Sequence, residues 1–163
     1  MSRLSFAVIC LVIFLLQSAF LPFLSNGAWL PDLWLVTVVI SLLAYDRMTA
    51  LAFAVVGGAL ADIGTGNFFG LHLFPYVLAL SVVAFYLREK YHRRIFTSFF
   101  FVAMASCLYL PAMWFVIWLS GGEIVLPDYL LYRGLPMLGL NVLAVFFVHP
   151  LLWNVKKDWV AKW

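Results

Sequence analysis

Charge is what this sequence has least of. Only 10% of its 163 residues are Asp, Glu, Lys or Arg, while 66% are hydrophobic. A soluble domain is about 25% charged and about 45–50% apolar. Too few polar side chains are present to cover a water-facing surface, which excludes a soluble globular domain. With a mean hydropathy of +1.07, lipid is the solvent for most of the chain. Cysteine is also scarce. Cys10 and Cys107 each lie inside an apolar run, a setting for buried packing rather than a disulfide framework. Three His and two Cys without ligand spacing give a metal site no support. No Ser/His/Asp order, phosphate-cradling glycine loop or CxxC is present. Polar residues are too few to line an aqueous catalytic face. The expectation is a non-enzymatic protein with no cofactor, and the small basic excess, clustered between apolar runs, fits membrane lipid head groups rather than nucleic acid.

Long apolar runs are what the sequence does have. A helix needs about 20 apolar residues to cross the hydrocarbon core. Runs near 4–24, 29–45, 49–63, 67–87, 95–119 and 132–153 qualify or nearly so. The spacing predicts an all-α integral membrane protein, a six-transmembrane-helix bundle forming a single membrane domain over residues 1–163. Pro31 suits the first turn of the second helix, and Asn67 suits the N-cap of the fourth. Only Asp46-Arg47-Met48 separates the second and third runs, so these form a tight hairpin; one continuous helix would put two charges at mid-membrane. The first run continues to Leu24 with no small-x-small cleavage site, so it reads as a retained helix.

Placing the N-terminus in the cytoplasm puts Arg3, Arg47, Arg88, Lys90, Arg93, Arg94, Lys156, Lys157 and Lys162 inside and only Arg133 outside. That asymmetry is the positive-inside pattern, and it gives both termini a cytoplasmic location. Trp29, Trp118, Tyr129 and Tyr132 then fall at outer helix ends, and Tyr45, Tyr86, Tyr91 and Trp153 at inner ends, the depth amphipathic rings prefer. The basic, Trp-containing segment 154–163 is expected to lie along the inner membrane surface.

The densest cluster of small residues is 57–70. Ala54, Gly57, Gly58 and Ala61 leave a groove for close backbone approach. Gly58, Asp62, Gly66 and Gly70 recur every fourth position, and this glycine density is expected to end the third helix near Asp62. Asp62 has two readings: a cap accepting N–H bonds from the turn at 63–68, or a carboxylate that contacts a partner. His72 is a possible neighbour for it. His149 is expected at the interface, and His92 in a solvated basic loop. Gln17, Ser41, Ser106 and Asn141 read as helix–helix hydrogen-bonding groups.

Pro31-Asp32-Leu33-Trp34, the hairpin, the Gly58/Asp62/Gly66/Gly70 series and the following apolar helix with Tyr76 together resemble the MreD family of rod shape-determining membrane proteins. The resemblance implies a non-enzymatic scaffold of the bacterial elongasome in the cytoplasmic (inner) membrane. It also implies an MreC-like bitopic partner and, through it, a link to MreB and the peptidoglycan synthases. The implied fold is similar to the substrate-binding S components of energy-coupling-factor transporters, which leaves a small-molecule (vitamin-type) binding subunit as the alternative. The family carries over only to Pro31, Gly58, Asp62, Gly66 and Gly70, as structural or partner-contact positions.

Overall fold

The computed structural model describes residues 2–25, 29–66, 69–87 and 95–160, the side chains of 24–25 and 155–160 excepted. Among them all regular structure is helical. Helix α1 covers residues 3–25: an α-helical stretch Arg3–Leu15, one widened π turn Leu16–Phe20, and a last turn Leu21–Ser25. Then come α2 (Leu33–Ala44), α3 (Arg47–Thr65), α4 (Leu73–Tyr86) and α5 (Ile95–Leu119). Helix α6 opens with Leu126–Tyr129, widens at Leu130–Gly134, and continues as Leu135–Val160. By length and composition α1, α3, α5 and α6 are each able to cross a membrane, while α2 and α4 are apolar but shorter.

Helix starts are set by local chemistry. The carboxylates of Asp32 and Asp46 accept the backbone N–H of Leu35 (3.0 Å) and Thr49 (2.7 Å), capping α2 and α3. Asp32 is therefore the cap, and Pro31 lies before α2 rather than in its first turn as expected. The hairpin between α2 and α3 is present, turning at Tyr45 and Asp46. At its far end α3 continues past Asp62 to Thr65, a correction to the expected stop. It closes on Gly66, whose φ of +66° is the left-handed conformation that terminates helices. The fourth helix begins at Leu73, not in the glycine-rich turn; Asn67 lies outside the described residues. The sixth begins at Leu126, with Pro127 in its first turn, and runs unbroken past Asn154 to Val160. Both widened turns stand just before a proline. Pro22 and Pro136 lack an N–H and press on the carbonyl four residues back, Ser18 and Tyr132, which sit inside the two π turns.

Helix α2 is the hub, contacting α3, α4, α5 and α6. Residues 34–41 are buried without interruption, as expected of a helix apolar all round. Small residues on α3 make room for its neighbours. A Cβ on Gly57 would collide with the Trp34 ring of α2, and one on Gly58 would stand 2.5 Å from Leu73 Cα of α4. The outward faces are apolar: Phe147 is 79% exposed, and Phe20, Phe85, Phe100 and Leu143 are also exposed, a surface suited to lipid. Cys10 is buried as expected, whereas Cys107 faces outward, and both are free thiols.

Candidate functional site

A cavity of about 670 Å³ opens at the end of the molecule where the two short helices begin. Its walls come from far-apart segments: the first π turn, residues 29–32, the end of α3, the starts of α4 and α6, and the upper part of α5. The volume lies within the range of small-molecule sites, about 300–1,000 Å³.

Asp32 lies in the wall of this cavity and is almost fully buried. The Tyr76 hydroxyl donates to both its oxygens at 2.7 Å, and the Leu35 N–H donates to one. Tyr109 lines the cavity beside the same carboxylate, its ring stacked on Tyr76 at 5.2 Å. Each of these groups is able to donate to the carboxylate. Behind it, the Asp32 N–H donates to Asn141 Oδ1 (2.6 Å), and Asn141 Nδ2 donates to Ser106 (3.0 Å). This buried chain ties α2, α5 and α6 together at the cavity. Gln17, on the first widened turn, donates to the Pro31 carbonyl (3.0 Å) and accepts from the Leu33 N–H (2.9 Å), fastening α1 to the same place. Ser41 differs from expectation: its hydroxyl donates to Val38 of its own helix.

Beside the cavity the end of α3 and the segment leading into α4 are joined at a corner. Asp62 accepts the N–H groups of Gly70 and His72, each at 2.7 Å, and His72 Nδ1 lies 3.0 Å from it. The carboxylate therefore receives the turn before α4; of the turn expected at 63–68, residues 67 and 68 lie outside the described residues. Gly70 has a φ of +110°, a conformation that favours glycine. Four of the five motif positions, Gly58, Asp62, Gly66 and Gly70, thus build this corner. Pro31 is in a different wall, held by Gln17. At the opposite end of the helices, His149 accepts or donates with Ser98 at 2.9 Å and stacks on Trp153 at 5.2 Å, linking α5 and α6. His92, the basic stretch 88–94 and the side chains of Lys156, Lys157 and Lys162 lie outside what the structure describes.

Asp32, Tyr109, Tyr129 and Arg133 escaped the sequence reading as site residues. Asp32 alone carried a signal, an acid just before an apolar helix. Among the described residues no group of three or more His, Cys, Asp or Glu could hold a metal ion. No family model, curated protein or solved structure matches the chain.

Proposed function

We propose that this protein is a non-catalytic, MreD-like scaffold of the bacterial rod-shape complex. It would sit in the cytoplasmic membrane with both termini inside and join an MreC-like bitopic protein, and through it MreB, to peptidoglycan synthesis. The supporting observation is the α3–α4 corner. Asp62 spends both oxygens on Gly70 and His72 of its own chain, which supports an architectural role for the most prominent acid of the motif.

Six crossings remain reasonable despite two short helices. At about 1.5 Å per residue, the 12 residues of α2 and the 14 of α4 reach about 18 and 21 Å, against a hydrocarbon core of about 30 Å. Both begin at the cavity, and irregular backbone at membrane depth is tolerated where it lines a polar cavity. The cavity supplies the missing depth.

The same cavity favours a second reading, a vitamin-type binding subunit of a transporter with an S-component-like fold. Photo-crosslinking in membranes followed by purification separates the two. Recovery of a bitopic MreC-like partner supports the scaffold; recovery of a transporter's coupling and ATPase subunits in its place replaces it.

A further inference from the structure

The fold buries a carboxylate against a cavity, and among the described residues no cation stands at ion-pair distance from it. Among the described residues the acid–base contact at ion-pair distance is His72 with Asp62; the direct hydrogen bonds to the Asp32 carboxylate come from hydroxyl and N–H donors, with the His72 imidazole acting on it only through space. Arg133 reaches the same cavity from the second widened turn but is exposed. An ionised group removed from water without an opposite charge is costly, and a bound cation relieves that cost. The walls around Asp32 are aromatic: Trp29, Trp34, Tyr76, Tyr109 and Tyr129 all line the space. The negative faces of such rings attract ammonium groups, and a cage of them recognises organic cations. Apolar residues such as Met113 complete the lining and suit a hydrophobic body. Two π turns, a feature frequent at functional sites, contribute Gln17 and Arg133 to the rim.

We propose that this cavity binds a small organic amine, its ammonium group seated at Asp32 among the aromatic rings and its apolar body directed toward Met113. An anionic ligand is disfavoured because the deepest charged group is itself an anion. The site shares its cavity with the transporter reading but needs no transporter, so failure here leaves the partner experiment above untouched.

The test uses the full chain reconstituted in nanodiscs and three probes of one shape: 2-phenylethylamine, 2-phenylethanol and 3-phenylpropionate. The amine is expected to raise the melting temperature by about 3–5 °C at tenfold excess over its Kd, and its alcohol and acid counterparts are not. Asp32→Asn keeps an acceptor for the Leu35 N–H and should lose the amine's effect. If that variant does not fold, Ala61→Phe, which fills the cavity from α3, should abolish the shift. Equal stabilisation by the alcohol, preference for the acid, absence of any amine effect, or an amine effect retained in a folded Asp32→Asn or Ala61→Phe protein would each overturn the proposal.

Discussion

Thr37 is buried in the centre of α2, and among the described residues its hydroxyl has no hydrogen-bond partner. An unmet buried polar group costs about 1–3 kcal/mol. Thr37→Val keeps the shape and removes the hydroxyl, so its melting temperature in detergent should equal or exceed that of the parent. Asp62 should behave in the opposite way. Two backbone N–H groups approach different oxygens of its carboxylate, and an amide offers only one accepting atom. Asp62→Asn should therefore destabilise the protein by about 1–3 kcal/mol, more than a simple one-bond cap would. Thermal unfolding of both variants side by side checks the pair; an Asp62→Asn protein as stable as the parent would remove the corner's structural rationale. Gly58→Ala should also destabilise, because its Cβ would meet the backbone of Leu73 and not a movable side chain.

At the scale of elements, the α2–α3 hairpin was legible because Asp46 and Arg47 interrupt an otherwise apolar stretch. The stop of α3 was not. Gly57 and Gly58 weaken an isolated helix, but here they admit Trp34 and Leu73, and the packing carries the helix through to Gly66. The start of α2 was expected at Pro31, but the Leu35 N–H bonds Asp32, which is the cap. The cavity could not be read from sequence at all, because its hydrogen bonds join positions as far apart as Asp32 and Asn141, 109 residues along the chain. The cap on α3 yields a pH-dependent expectation. The N–H of Thr49 beside Asp46, aided by the Thr49 hydroxyl, holds its carboxyl below the ordinary value. A group with a lowered pKa in the folded state contributes stability above its unfolded pKa and loses it as pH falls through the folded one. The parent should thus lose a small increment of stability on acidification below about pH 4 that Asp46→Ala lacks, seen as a narrowing gap between their melting temperatures. Above that range the variant should be less stable by about 0.5–1 kcal/mol.

For the whole molecule, the proposed six-span topology would bring the cavity, the two short helices and the charge asymmetry of the sequence into one arrangement. Four helices are long enough to cross unaided, and the two that are not begin beneath polar space. In that topology the exposed apolar faces of α1, α5 and α6 would meet lipid, while the buried acid Asp32 faces the cavity. This account requires the hairpin turn at Asp46 and the first turn of α6 to emerge on opposite sides of the membrane, with the cavity opening outward. Single cysteines at Met48 and Asp128, in a background lacking Cys10 and Cys107, test it directly with a membrane-impermeant maleimide on intact cells. The expected result is labelling of position 128 in intact cells and of position 48 only after permeabilisation. Labelling of both positions from the same side would contradict the account.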